Sequence, residues 1–206
     1  MGRPEADQLR ITAMCALGSG LADANHPEDA LSVYEAELAM KRRLGASEEQ
    51  MLVVQANLAQ TLTRLGRVEQ AVQIERDVYY GYLKVVGEEN RDTNTVAINY
   101  SASLIQLQRF EEARLVLRKT LPVARRVLGE NHENTLRARG AYAMALYRDA
   151  GATLDDLREA VTTLDDMERI ARRVFGGGHP NVAGIGHQLR EARAVLRARK
   201  TATVQA

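Results

Sequence analysis

The chain has 206 residues, 45% of them hydrophobic, and a formal net charge of +1 at pH 7. That apolar content suffices for a continuous core, and the near-neutral balance excludes a composition built for bulk polyanions such as duplex nucleic acid. A single cysteine, Cys15, excludes an intramolecular disulfide framework and fits a reducing compartment. No apolar run approaches the roughly 20 residues that span a bilayer, and Met1-Gly2-Arg3-Pro4-Glu5-Ala6 reads neither as a signal peptide nor as a myristoylation site. The expected location is cytoplasmic, with no membrane and no nucleic-acid partner.

Taken in order, residues 4–24 predict a helix with Leu9, Ala13, Leu17 and Leu21 on one face. Asn25-His26-Pro27 breaks it, and Pro27 opens a second helix carrying Ala30, Val33 and Leu44. Residues 1–44 thus form a divergent helix pair. Ser47 and Gln50 are spaced as a capping box, so the next helix starts near Glu48. Its apolar row is Leu58, Leu62 and Leu65; Gly66-Arg67 makes the turn, and Val68, Ala71, Ile74, Val78 and Val85 continue the stripe on the partner helix.

The unit then recurs. Gly45, Gly87 and Gly129 stand 42 residues apart, and Phe175-Gly176 closes a longer copy, which is the signature of a repeat array. Repeats of this kind occupy residues 45–86, 87–128 and 129–175. The middle one carries Tyr100, Leu104 and Leu107, a turn at Gln108-Arg109, then Phe110, Ala113, Val116 and Val127, with Pro122 predicting a kink. The last has Tyr142, Ala143 and Leu146, a longer turn through Asp149-Ala150-Gly151-Ala152-Thr153, a capped restart at Thr153 and Asp156, and Ala160, Leu164, Met167, Ala171 and Val174. Residues 176–200 predict a capping helix, from Pro180 to about Arg199, with a basic face of Arg190, Arg193, Arg197 and Lys200; residues 201–206 read as a frayed tail.

The pattern Asn57-Leu58-Ala59, Leu62, Leu65-Gly66-Arg67-Val68, Gln70-Ala71 and closing Val86-Gly87 resembles a tetratricopeptide repeat. The 42-residue period, with Leu128-Gly129-Glu130-Asn131-His132 and Gly176-Gly177-Gly178-His179-Pro180, is similar to the kinesin light chain variety. The resemblance implies an all-α, right-handed superhelical solenoid of antiparallel helix pairs, about nine helices in all, whose first helices line a concave peptide-binding groove. Two positions depart from the pattern: Gln108 replaces the turn glycine, and Glu75 interrupts an apolar position.

On that architecture, residues about a quarter turn from the Leu58 row face the groove. They are Val53, Ala56, Asn57, Gln60, Thr63 and Arg64; then Thr95, Ile98, Asn99, Ala102 and Gln106; then Arg137, Gly140, Ala141, Met144, Tyr147 and Arg148. Asn57 and Asn99 share a repeat position where the resemblance implies a ligand-contacting asparagine, and each offers a donor and an acceptor suited to an extended peptide backbone. Arg64, Arg137 and Arg148 can fork onto carboxylates. The peptide-binding candidates are therefore Asn57, Gln60, Arg64, Asn99, Gln106, Arg137, Tyr147 and Arg148, and the expected function is a non-enzymatic adaptor for an extended, acidic segment of another protein. The alternative is a structural or self-assembly module, a fragment of a larger repeat-containing regulator, that forms a homo-oligomer through its convex face or terminal helices, with exposed apolar residues on the first helix as the contact.

Catalytic readings find no constellation. Asp155-Asp156 and Asp165-Asp166 are adjacent pairs with no apolar pocket to raise a carboxyl pKa. His132 and His179 stand about a repeat apart, which keeps them from converging on one metal, and Gly176-Gly177-Gly178 lacks the lysine and the strand of a phosphate loop. No catalytic residue, metal or cofactor is expected. An RNA-binding reading of the basic last helix lacks an aromatic platform.

Overall fold

The computed structural model describes residues 4–205, and all nine elements among them are helices: α1 (Pro4–Asp23), α2 (Pro27–Arg43), α3 (Glu48–Arg64), α4 (Val68–Val85), α5 (Arg91–Gln106), α6 (Phe110–Leu128), α7 (Glu133–Tyr147), α8 (Leu154–Phe175) and α9 (Pro180–Gln205). Residues 1–3 of the expected first helix pair and Ala206 of the expected tail lie outside the described residues. Helix α9 runs on through Thr201 and Ala202 to Gln205, past the point near Arg199 where the sequence reading ends it. The helices form two compact units that meet inside α5, one ending at Ser103 and one beginning at Leu104.

Local chemistry sets the helix starts. The Ser47 hydroxyl accepts from the Gln50 amide at 3.2 Å while the Gln50 side chain accepts from the Ser47 amide at 3.1 Å, so two donors that the first turn cannot satisfy are paired. Thr153 and Asp156 make the same box at the start of α8. His132 and His179 also act as caps: each Nδ1 accepts the amide two residues on, from Asn134 at 3.1 Å and Asn181 at 3.2 Å.

In the first unit, Ala30, Leu31, Tyr34 and Leu38 of α2 pack with Val54, Leu58 and Leu62 of α3 and with Ala71 of α4. A second cluster joins Leu52 of α3, Val78 and Tyr82 of α4, and Val96 of α5. Helix α1 comes close enough to α2 that a Cβ on Gly18 would sit 2.6 Å from the Tyr34 ring, so this contact needs glycine. Of the apolar face of α1 anticipated from spacing, Leu9 (71%), Ala13 and Leu17 (54%) are exposed, Leu21 is half-buried against the α2–α3 core, and Ile11 and Gly18, on the opposite side, are buried.

In the second unit, Leu117, Leu121 and Ala124 of α6, Tyr142 and Leu146 of α7, Leu157, Leu164 and Met167 of α8, and Val182, Leu189 and Ala192 of α9 are buried. The stripes expected to reach Val85, Val127 and Val174 stop short, since all three are exposed. They hold one position in three successive repeats, on the last turn of the second helix. Pro122 lies exposed within a continuous α6.

The longer turn after α7 is held from two sides. Buried Arg114 of α6 reaches Asp149 at 3.1 Å and pairs with Glu111 and, at 3.7 Å, with Asp156. Arg199 of α9 donates to the carbonyls of Ala152 at 2.8 Å and Ala150 at 2.7 Å. These bonds order an insertion whose backbone carbonyls a two-residue turn would not have to satisfy.

Candidate functional site

In the first unit, the first helices α3 and α5 approach each other at their C-terminal halves, where the hydroxyls of Thr63 and Ser103 are 3.5 Å apart. Asn57 and Asn99 therefore stand at the same repeat position on adjacent helices, both half-buried. Gln60 is exposed one turn from Asn57. Arg64 is exposed, and its Nη1 donates to the Ala22 carbonyl at 2.6 Å, which fixes the side chain across the end of α1. A guanidinium has five N–H donors, so one such anchor leaves others for a carboxylate. Val53, Ala56 and Thr63 complete an accessible face on α3; Ile98 is buried, which removes it from the anticipated set. It turns inward because α5 is covered on more of its circumference than α3.

In the second unit, Gln106 is exposed at the end of α5, and Arg137 and Arg148 are exposed on α7 with Ala141 and Met144 half-buried between them. Gly140 is buried, with a virtual Cβ 3.4 Å from Met167. Tyr147, anticipated as a peptide contact, is only 4% exposed, and its hydroxyl donates to Glu191 of α9 at 2.8 Å. Burial and that bond push its pKa up to about 12. Its role in this structure is to hold α9 against α7.

Glu191 gathers two further groups, Arg148 at 3.7 Å and His187 at 3.5 Å, and Arg148 lies over the Tyr147 ring at 5.9 Å. His187 and Glu191 escaped the sequence reading. They share a helix with a four-residue spacing, yet nothing local marks them, because the groups that define them arrive from α7 some forty residues earlier.

The adjacent aspartate pairs singled out in the sequence are engaged by neighbouring groups. Asp155 pairs with Arg158, Asp165 with Arg193 and Asp166 with Arg169, while Asp156 caps α8 and is held below the usual carboxylate range by its bonds to Thr153. No group of acidic, histidine or cysteine side chains among the described residues could hold a metal. An open hollow of about 190 Å³ lies at the turn before α6, lined by Gln108, Arg109, Phe110, Glu111, Glu112 and Asp149. Arg109 and Glu112 are 2.6 Å apart across it, and the arginine holds the Glu112 carboxyl below its ordinary range. It is smaller than the roughly 300–1,000 Å³ usual for a ligand cleft. No described helix is long and apolar enough to cross a membrane.

Residues 52–92 and 92–153 each match a tetratricopeptide repeat family model. Among solved structures, the chain is similar to the kinesin light chain nearly identical TPR-like repeats of Podosopora anserina, at 20% identity and a TM-score of 0.76 over 98% of this chain and 92% of that one. BtubC (BKLC) from P. vanneervenii is similar at 17% identity and a TM-score of 0.70, over 98% and 84%. MamA from Desulfovibrio magneticus RS-1 is similar at 13% identity and a TM-score of 0.52, over 92% and 96%. No curated protein matches the chain. At these identities the likeness is one of fold, and it is all-α. Tetratricopeptide repeats generally mediate protein–protein interaction on a non-catalytic helical scaffold, and this chain is a tetratricopeptide repeat protein whose fold is similar to that of kinesin light chain TPR-like repeats.

Proposed function

We propose that the chain is a cytoplasmic adaptor that binds an extended, acidic segment of another protein on the exposed face of its first helices. The observation that carries this reading is the paired placement of Asn57 and Asn99 at one repeat position on the adjacent helices α3 and α5. A mid-helix asparagine is a few tenths of a kcal/mol less favourable than alanine, so its recurrence in phase calls for a reason, which backbone recognition of a peptide supplies. Each amide can donate to and accept from a peptide backbone, and Gln60 extends the row. Arg64, already anchored by the Ala22 carbonyl, supplies the preference for a carboxylate. In the second unit, Gln106, Arg137 and Arg148 form a separate candidate patch; Tyr147 supports it from below through Glu191 without touching the ligand.

The test is selection from a display library of random short peptides. The reading predicts enrichment of a shared motif containing aspartate or glutamate, with Arg64→Gln losing the acidic preference and keeping the remainder of the motif. A folded protein that enriches no motif would contradict it.

A further inference from the structure

We infer that Glu75 determines specificity in the first unit's peptide site by receiving the ammonium of a lysine from the bound segment, an inference that rests on the peptide-binding reading above. Glu75 is 3% exposed on α4, and the Ser103 hydroxyl of α5 donates to its carboxyl. The oxygen Oε2 is buried and has no hydrogen-bond partner, and no cationic side chain among the described residues pairs with it. A buried carboxylate oxygen without a donor is unfavourable, and an apolar residue would fill the space without that cost.

Folding does not call for an acid at this place in the repeat. In the register set by the positive-φ turn residues Asn25, Gly66 and Gln108, Glu75 holds the position of Tyr34 in the pair before and of Leu117 in the pair after, and all three are buried. The Tyr34 hydroxyl comes within 3.3 Å of Ser19 on α1, so a polar tip at this position meets a first helix. For Glu75 the meeting point is Ser103, whose hydroxyl is 3.5 Å from that of half-buried Thr63 on α3. Thr63 adjoins Arg64 and follows Gln60 by one turn, and Asn99 precedes Ser103 by one turn on α5. The Glu75 carboxyl thus ends beneath the helix faces that carry the proposed peptide contacts.

The chemistry of this cluster selects its ligand group. The Thr63 hydroxyl donates to the Ala59 carbonyl at 3.1 Å and that of Ser103 to Glu75, so both protons are used and lone pairs remain on both oxygens. Together with Oε2 they offer acceptors only. An ammonium is the complementary group, since it carries three donors and no acceptor. The chain's other buried glutamate on a second helix is matched in this way: Lys41 Nζ lies 2.9 Å from Glu37 and donates to the Gln50 carbonyl at 3.2 Å. A cation brought to Glu75 also favours the charged form that burial opposes. The long apolar stem of a lysine carries its charge below the surface while the peptide backbone stays on the Asn57 and Asn99 amides.

Selection from a display library of random short peptides, run in parallel on wild type, Glu75→Leu and Glu75→Gln, tests this. Leucine is the residue that the next repeat places at this position, and glutamine keeps the shape of the side chain, so both variants keep the fold. Wild type is expected to enrich lysine at a fixed distance from the acidic residue of the motif. Glu75→Leu should lose the lysine and Glu75→Gln should weaken its enrichment, with the acidic residue kept in both. For one recovered peptide, replacing its lysine by norleucine should weaken binding to wild type by roughly tenfold or more and leave binding to Glu75→Leu unchanged or stronger. A motif with the acidic residue and no lysine would overturn the inference and leave the peptide-binding reading in place. A lysine preference undiminished in either variant would also overturn it, and a folded wild type that enriches no motif removes both.

Discussion

Gln108 holds the left-handed backbone conformation, at φ 58°, that Gly66 holds at φ 75° one repeat earlier. Both residues follow a first helix, and both donate their amides to a carbonyl three residues back, Gln108 to Ile105 at 3.0 Å and Gly66 to Thr63 at 3.1 Å. The turn demands this geometry whatever side chain stands there, so the glutamine carries a steric cost on the order of 1 kcal/mol that glycine avoids.

Gln108→Gly is therefore expected to stabilise the protein by about 0.5–1 kcal/mol, the relief being partly offset by the greater freedom of glycine in the unfolded chain. Chemical denaturation at fixed slope measures it. A lower midpoint for the variant would show that the Gln108 side chain contributes more than its backbone costs.

Glu37 is fully buried in α2, and Lys41, one turn on, reaches its Oε1 at 2.9 Å and the Gln50 carbonyl at 3.2 Å. Removing one partner of a buried pair leaves an uncompensated charge, so Lys41→Met is expected to cost about 3–5 kcal/mol. Converting both residues to apolar ones of similar size, as in Glu37→Leu with Lys41→Met, should recover most of that loss. Thermal unfolding of the three proteins distinguishes the pair's interaction from simple packing: a single variant as stable as wild type would contradict a charged pair.

Glu75 is 3% exposed on α4, in a position the repeat fills with an apolar residue, beside Ser103. Burial raises its pKa, and the Ser103 hydroxyl offsets this only in part. The folded state thus favours the protonated acid more than the unfolded chain does. The associated stability is present below the unfolded value and is lost as pH rises through the raised folded one. Glu75→Gln should flatten stability between mildly acidic and neutral pH and raise it at neutrality by about 1 kcal/mol. Denaturation midpoints at several pH values check this, and an unchanged pH slope in the variant would contradict the assignment to Glu75.

Arg199 clamps two carbonyls of the Ala150–Ala152 turn from α9. Arg199→Met should release that turn while α7 and α8 remain folded, which hydrogen exchange would report as lost protection confined to residues near the turn and the end of α9. Unaltered exchange there would mean that the Arg114 pairs alone order the insertion.

Features decided by neighbours in sequence were legible before any coordinates. The Ser47–Gln50 and Thr153–Asp156 boxes each need only a hydroxyl and an acceptor three residues on, and the 42-residue phasing of Gly45, Gly87 and Gly129 follows from the turn that each must make. Helix α1 was harder, because spacing finds an apolar row but cannot choose between two when Leu9-Ala13-Leu17 and Ile11-Gly18 are both apolar. The second unit's candidate patch depends on α9, which spacing along α7 does not include. Tyr147 looks available on α7 alone, and only the arrival of Glu191 from 44 residues later makes it a buried support. Ile98 and Gly140 fail for the same reason: a quarter turn from the core row is open or closed according to the helix that packs alongside.

The most direct test of the central claim is calorimetric titration of a peptide recovered by display into wild type and into the Asn57→Ala, Asn99→Ala double variant, after circular dichroism has shown equal helicity. The account predicts at least a tenfold loss of affinity, equivalent to about 1.4 kcal/mol, since two side-chain amides that bond the peptide backbone are removed. Equal affinity for the two folded proteins would contradict it and place peptide capture away from the faces of α3 and α5.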